Sequence, residues 1–241
     1  MSARLPILTY HKISEVPSGA IYPGLCVPPS LFSQHVRYLR RRGFVTTSLH
    51  PLESIWDHPS ATDGKLISLT FDDGYQDFAD SAVPIMKSCG VTGTVFLVSD
   101  HLGATNEWDI KLGEKSADLM SRETILKLLH QGFEFGSHTM THVHLDQVDD
   151  GVQRLEIEKS KEDLESALGV PMNVFCYPYG GLNDSAMKLV QEAGYSCAVS
   201  TRKGLNTRDT NRFCLNRIAV RNDTLLPVFV YKLWRAFRYG R

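Results

Sequence analysis

The chain has 241 residues, of which 42% are hydrophobic, enough to bury the core of one large α/β domain or of two small ones. Its 26 Lys and Arg against 27 Asp and Glu give a net charge of -1, so no overall basic surface indicates a nucleic-acid partner, and we expect none. The five cysteines are spread along the chain without a C-x-x-C pair, so we expect reduced, mostly buried thiols and no cysteine-based zinc or redox centre.

Apolar, β-rich runs alternate with helix-like segments along most of the chain. The opening stretch MSARLPILTYHKI resembles neither a signal peptide nor a membrane span, so we expect a cytoplasmic protein. The segment GATNEWDIKLGEKSAD breaks the alternation, which predicts a surface loop. Strands are expected at 5–10, 44–49, 65–71, 91–98, 133–137, 173–178, 195–201 and 215–220, and helices at 28–44, 77–90, 121–132, 149–169 and 183–194.

This regular β-α alternation predicts a parallel sheet or barrel with helices outside. No internal repeat and no linker rich in Pro, Gly or Ser divides the chain, so we expect a single domain over residues 1–241. The stretch 224–239 predicts a basic amphipathic helix. Its apolar face could dock on the rest of the protein, or it could contact an anionic membrane surface.

Two pairs of polar side chains follow predicted strands. Asp72 and Asp73 come directly after one strand, and His138 and His142, four residues apart, follow another. Carboxyl ends of parallel strands share one side of such a fold, so both pairs are expected to meet there. Two imidazoles and one carboxylate form the ligand set of a catalytic divalent metal, and a second carboxylate can remove a proton from water. Taken alone, however, Asp-Asp-Gly is a common turn and His-x-x-x-His is usually a surface feature; His144 is a weaker candidate ligand.

Three motifs together resemble those of the polysaccharide deacetylase (NodB-like) family of carbohydrate esterases: TFDDG (70–74), SHTMTH (137–142) and YPYG (177–180). The resemblance implies a distorted (β/α) barrel and metal-dependent removal of an acyl group from an N-acyl amino sugar. It also implies Asp72 as the general base, with Asp73, His138 and His142 as metal ligands. The backbone N–H of Tyr179 would stabilise the oxyanion together with the metal.

The chain departs from the family pattern at two positions. Cys176 stands where the family has an Arg that tethers the base, and Arg217 is our candidate substitute, against the alternative of a surface or helix-facing Arg. Arg217 also stands near the place of the family's late catalytic His. His11, in LTYHKI, resembles the acid of a subgroup that deacetylates biofilm polysaccharides and carries this element at the front; the alternative is a histidine bonded to a carbonyl.

The expected ligands follow from this resemblance. The metal site suits Zn²⁺, and Co²⁺, Ni²⁺ or Mn²⁺ could use the same ligands. The expected partner is an N-acylated amino sugar or oligosaccharide. For a cytoplasmic enzyme this would be a sugar nucleotide, an imported oligosaccharide or, at the inner face of the membrane, a lipid-linked precursor. Tyr75 and Tyr179 are the candidate sugar-stacking residues, chosen from a group that also includes Tyr10, Trp108 and Tyr177. Two alternatives remain: a deformylase or deacylase of a lipid-linked amino sugar, and a catalytically silent carbohydrate-binding protein.

Overall fold

The computed structural model describes residues 4–57 and 65–240, which form a parallel β-barrel surrounded by helices. Seven strands form a closed ring in the order β1-β8-β7-β6-β5-β4-β3, because β1 also pairs with β3. The predicted (β/α) barrel is therefore confirmed. The strands are β1 Ile7–Tyr10, β2 Val45–Thr46, β3 Leu66–Phe71, β4 Thr94–Leu97, β5 Glu134–Ser137, β6 Val174–Cys176, β7 Cys197–Lys203 and β8 Leu215–Ala219.

The first strand closes the barrel. On one side β1 pairs with β3, from Ile7 opposite Ser68 to Tyr10 opposite Phe71, and on the other it pairs with β8 through Leu8 opposite Ile218. The two-residue β2 pairs only with the beginning of β3 and lies outside the ring. Strands that are distant in the sequence therefore lie side by side.

Helices connect most of the strands, as the alternation predicts. The helices are α1 Pro29–Arg41, α2 Leu52–Asp57, α3 Val83–Cys89 (preceded by a π-helical turn at Phe78–Ala82), α4 Glu107–Ile110, α5 Arg122–Leu129, α6 Asp150–Leu168, α7 Asp184–Glu192 and α8 Leu226–Tyr239. The expected surface loop at 103–118 is in fact partly structured: it contains α4, and its Trp108 and Asp109 are buried.

Apolar side chains fill the barrel from its amino-terminal end. Ile7, Phe96, Val174 and Leu215 are fully buried in one cluster, which also contains residues of α2. Because this end is packed with side chains, the carboxyl ends of the strands are left to form the cavity that carries the polar motifs.

Helix α8 docks its apolar face on the rest of the protein. Phe229 and Leu233 are buried, and the ring of Phe229 stacks on His35 of α1 with 4.1 Å between centroids. On the opposite face Tyr231 and Trp234 are exposed and stack on each other. In the described part of the chain, no helix has both the length and the apolar character needed to cross a bilayer.

Candidate functional site

The three sequence motifs meet at the carboxyl ends of the barrel strands, as predicted. Asp72 and Asp73 follow β3, His138 follows β5 and Tyr177 follows β6. These strands belong to one continuous run of pairings through β4. The motif side chains line a cavity of about 330 Å³ together with residues from β1 and β8. Its volume lies in the range of small-molecule pockets.

Unusual backbone conformations concentrate in this site. Among the described residues, four non-glycine residues have positive φ: Asp73 (73°), Thr139 (66°), His142 (63°) and Tyr179 (57°). All four belong to the three motifs. Because this region of φ is unfavourable for residues with a Cβ, each conformation costs of order 1 kcal/mol or more and persists only where its surroundings enforce it.

A tight loop brings His138 and His142 together. Their spacing of four residues would also fit a helical turn, but residues 138–142 form none. The hydroxyl of Thr139 accepts a hydrogen bond from the backbone N–H of His142 at 3.0 Å. The carboxylate of Glu156, buried on α6, accepts the backbone N–H groups of Met140 and Thr141, each at 2.9 Å. Glu156 was missed by the sequence analysis, since it is one of many acidic residues on a highly charged helix. It holds the loop against that helix.

Asp73, His138 and His142 form a compact buried cluster. Oδ1 of Asp73 lies 3.3 Å from Nε2 of His138 and 3.2 Å from Nε2 of His142. Burial alone would raise the pKa of Asp73, but its hydrogen bonds to the two imidazoles hold that pKa well below its ordinary value. Burial lowers the pKa of His142 to about 4, although Asp73 acts in the opposite direction. His142 is therefore neutral at pH 7, as a metal ligand must be.

The donor set fits a divalent metal. Nδ1 of His138 lies 2.7 Å from the carbonyl oxygen of Cys176, which can only accept, so this nitrogen carries a proton and Nε2 is the atom left to ligate a metal. Nδ1 of His142 is buried and has no hydrogen-bond partner within the described residues, so its polar contacts lie at Nε2. One ligand atom from each of the three residues lies within 4.8 Å of the other two.

A second group, Asp72, His138 and Cys176, also has its ligand atoms close together. The positively charged guanidinium of Arg217 already lies beside these ligand atoms: it contacts Asp72 and lies 3.3 Å from Sγ of Cys176. This group is therefore a poor metal site, and Asp73, His138 and His142 remain the better one.

Asp72 is oriented by a bidentate ion pair. Nη1 and Nη2 of Arg217 donate to its two oxygens at 2.7 and 2.8 Å, and both residues are buried. Burial would raise the pKa of Asp72, but Arg217 and then His11 outweigh it, so this pKa lies below its ordinary value. The structure thus places Arg217 inside the barrel against Asp72, at the location expected of a substitute tether.

His11 lies on the other side of Asp72, with 3.8 Å between Nε2 of His11 and Oδ2 of Asp72. Its side chain is 25% exposed and lines the cavity at the carboxyl ends of the strands. The sequence left open that His11 is a histidine bonded to a carbonyl. Within the described chain its imidazole makes no such hydrogen bond. The imidazole is therefore accessible to a bound molecule.

Aromatic residues form one wall of the cavity. The indole of Trp108 stacks on His142 with 4.4 Å between ring centroids, and Tyr179 contacts the same imidazole edge-on. Tyr179 is half exposed and stacks on His144, which lies outside the metal cluster. Trp108 was considered only as one of several aromatics, since nothing in its local sequence indicates that α4 carries it over His142.

Tyr75 does not face the cavity. Its side chain is 1% exposed, packs with Val98 and Leu119, and donates a hydrogen bond to Asp109. Burial raises its pKa well above the ordinary value, with smaller contributions from Asp73 and Asp109. Because it offers no accessible ring face, the expectation that Tyr75 stacks on a sugar was wrong.

Comparison with known proteins agrees with this site. Residues 60–198 match the family model described as polysaccharide deacetylase, which is more than half of the chain. The chain belongs to the polysaccharide deacetylase family. The resemblance expected from the three motifs is thereby confirmed, and all three motifs lie inside the matched segment.

Curated relatives of the chain are distant in sequence. Bacillus subtilis (strain 168) YxkH, which carries a provisional polysaccharide deacetylase name, is 27% identical over 90% of this chain and 72% of its own. The poly-beta-1,6-N-acetyl-D-glucosamine N-deacetylase of Staphylococcus epidermidis (strain ATCC 35984) is 26% identical over 70% of this chain and 58% of its own. The match thus spans little more than half of the staphylococcal enzyme.

Solved structures share the fold. The Streptococcus pyogenes deacetylase PplD, in complex with acetate, superposes with a TM-score of 0.81 at 23% identity, covering 96% of this chain and 99% of that one. The Bacillus cereus polysaccharide deacetylase BC0361 gives 0.80 at 22% identity, covering 96% and 69%. At these identities the likeness concerns the barrel alone.

Proposed function

We propose that this polysaccharide deacetylase is a metal-dependent hydrolase that removes the N-acetyl group from an amino sugar of a glycan or glycan precursor, with residues 1–241 as one catalytic domain. The observation that carries the proposal is the position of Asp72, clamped by Arg217, facing His11 and adjacent to the Asp73, His138 and His142 cluster. A base, an acid and a metal site border one cavity, which is what amide hydrolysis requires.

Asp73, His138 and His142 would hold the metal, and we propose Zn²⁺ because two imidazoles and one carboxylate suit it; Co²⁺, Ni²⁺ or Mn²⁺ are the alternatives. A divalent cation supplies Lewis-acid polarisation of the substrate carbonyl and lowers the pKa of water.

The chain's own residues supply the proton transfers. Asp72 accepts a proton from the water whose oxygen attacks the acyl carbon. The backbone N–H of Tyr179, which has no acceptor among the described residues, donates to the developing oxyanion. As the carbon–nitrogen bond breaks, His11 donates a proton to the amine, so acetate and a free amino sugar leave. Arg217 holds the base in position throughout.

The substrate proposal is supported by the aromatic wall and by the relatives' names. Trp108 and Tyr179 line the cavity, and rings of this kind stack on the apolar face of a sugar. One relative is named for poly-beta-1,6-N-acetyl-D-glucosamine, which supports an N-acetylated amino sugar. A formyl group on a lipid-linked amino sugar is the second candidate, since the exposed Tyr231 and Trp234 of α8 suit peripheral contact with a membrane, at its inner face for a cytoplasmic enzyme.

The test is metal content combined with acid release. We expect close to one divalent ion per chain for wild type, and loss of that ion in His138→Ala and Asp73→Ala after reconstitution. His144→Ala is the matched control, because its imidazole lies outside the cluster. Wild type should release acetate from N-acetyl amino sugars and should be compared on N-formyl analogues. A wild-type chain that binds sugar but takes up no metal and releases no acid would favour the silent carbohydrate-binding alternative.

A further inference from the structure

A basic cavity lies beside the catalytic one. This basic cavity has a volume of about 540 Å³. Arg217, which is bonded to Asp72, lines it together with four other cationic residues: Lys203 from β7, Arg221 after β8, and Lys232 and Arg235 from α8. None of its lining residues is acidic. For a protein of net charge -1, such a concentration of one sign is not explained by composition.

These four cations lack carboxylate partners. Within the described residues, no carboxylate oxygen lies within 4.0 Å of a side-chain nitrogen of any of them. Two exposed arginines elsewhere are paired, Arg154 with Glu158 and Arg208 with Asp57, and can serve as controls. The positive charge of the basic cavity is therefore not neutralised by a neighbouring carboxylate of the described chain.

Local contacts hold two of the cations in place. Nζ of Lys232 donates to the carbonyl oxygen of Ala219 at 2.8 Å and to the hydroxyl of Thr224 at 3.2 Å. Burial lowers the pKa of Lys232, Asp223 raises it, and Arg221 and Lys203 lower it further. The guanidinium of Arg221 lies against the backbone of Gly24, where a Cβ would collide with it.

The basic cavity is continuous with the catalytic one. A depression of about 310 Å³ lies between them, sharing His11 and Ala219 with the catalytic cavity, and Ala219 and Arg221 with the basic one. Ala219 is paired with Thr9 of β1, two residues before His11. A ligand that extends from His11 past Ala219 would thus reach the four cations.

We propose that the basic cavity binds a phosphate or pyrophosphate group carried by the amino-sugar substrate. Guanidinium groups match phosphate oxygens in geometry. The four positive charges of two Arg and two Lys are more than the single negative charge of a carboxylate would neutralise, so a phosphate or pyrophosphate fits better. The inference rests on the proposed function for the identity of the sugar, but the anion site itself does not depend on turnover.

The test uses inorganic pyrophosphate as the probe, with binding to the full chain measured by calorimetry. We expect saturable binding that weakens about tenfold or more in Arg221→Gln/Arg235→Gln and also weakens in Lys203→Gln, because charge-assisted hydrogen bonds are lost. The control Arg154→Gln/Arg208→Gln removes the same charge from paired positions and should bind like wild type. The same measurements in an Asp73→Ala background exclude binding at the metal. Absence of saturable binding, or equal weakening in both double variants, overturns the proposal.

Two further arms identify the source of the phosphate. N-acetylglucosamine 1-phosphate should displace pyrophosphate, whereas N-acetylglucosamine and vesicles of phosphatidic acid should not. Displacement by vesicles alone overturns a substrate-borne phosphate in favour of a lipid surface. Pyrophosphate binding with the expected variant pattern but without acyl release would refute the proposed function and support the anion site. Acyl release from neutral sugars without pyrophosphate binding would support the proposed function and refute the anion site.

Discussion

At the scale of single residues, Asp72 has few conformational choices. Both of its oxygens are bonded to one buried guanidinium, and His11 and the metal ligands surround the remaining space. These contacts fix the orientation of the carboxylate. Three predictions follow from the separate contacts of Asp72, Arg217 and His11.

Asp72→Asn should lower kcat about 100- to 10,000-fold, because an amide cannot accept the proton. Metal content should stay at the wild-type level, since Asp72 is bonded to Arg217 and is not one of the three proposed metal ligands. Elemental analysis and acetate release measure the two properties. Asp73→Asn is the matched control and should lose metal and activity together; equal metal loss in both variants would contradict the assignment.

Arg217→Lys should lower kcat about tenfold or more, because an ammonium group cannot reproduce the bidentate contact with Asp72. KM and metal content should change little, as Arg217 acts on the base and not on the substrate. Arg212→Lys, at an exposed ion pair with Glu53, provides the control. A variant that loses affinity for substrate while keeping kcat would instead indicate a sugar-binding role.

His11→Ala should lower kcat about 100-fold on N-acetyl amino sugars and leave metal content unchanged. The loss should shrink for a substrate whose amine leaves without protonation, which is the signature of a missing acid. His130→Ala, at an exposed position directly after α5, should behave like wild type. An equal loss on both substrates would argue against proton donation by His11.

Much of the site could be predicted at this scale. The Asp pair and the two histidines were located correctly because each follows a strand end, and parallel strands bring those ends together. Arg217 could be named only as a candidate, since its contact with Asp72 joins residues 145 positions apart. Tyr75 was misjudged because its neighbours, including Val98 and Leu119, come from other segments that bury its ring.

At the scale of elements, loops and short helices account for most differences from expectation. The histidine loop depends on positive φ at Thr139 and His142, a conformation that residue type does not predict at these positions. Glu156, which accepts hydrogen bonds from this loop, lies on α6, and Trp108, which stacks on His142, lies on α4. Long elements with clear periodicity, such as α6 and α8, were predicted within a few residues.

The junction between α1 and α8 makes stability depend on pH. His35 lies there fully buried, donating to the carbonyl of Thr224 and accepting from the hydroxyl of Tyr10. Burial, with a smaller contribution from Lys232, lowers the pKa of His35 to about 4 despite the bond to Thr224. Between pH 6.5 and 4 the unfolded chain therefore binds more protons at this residue, so stability falls as pH falls.

The expected loss is about 3 kcal/mol in the free energy of unfolding across that interval, levelling off below pH 4. Urea unfolding at pH 7 and pH 4.5 measures it. His35→Gln cannot titrate, so its stability should fall less over the same interval even if it starts lower. Parallel curves for the two proteins would show that His35 is not the source.

At the scale of the whole molecule, the barrel is closed by strands outside the segment that matches the family model. That segment, 60–198, contains neither β1 nor β8, although β1 carries the chain into His11 and β8 carries Arg217. Local patterns predicted that these strands exist. They could not predict that β1 lies between β3 and β8, because such pairing depends on contacts between distant parts of the chain.

A fragment of residues 60–198 should fail to fold cooperatively, although it contains every proposed metal ligand. Without β1 and β8 the edge of β3 would be unpaired and Asp72 would lack its counter-ion. Circular dichroism and urea unfolding measure this, with the full chain as control. A fragment with a sharp unfolding transition would show that the ring is not needed for stability.

Arg217 also sets the order in which function can arise during synthesis. The ribosome makes Asp72 and the three metal ligands first, and adds Arg217 145 residues after Asp72. Until β8 has entered the ring, the nascent chain has no group to orient its base. On the proposed mechanism, hydrolysis therefore cannot begin before the last strand has closed the barrel.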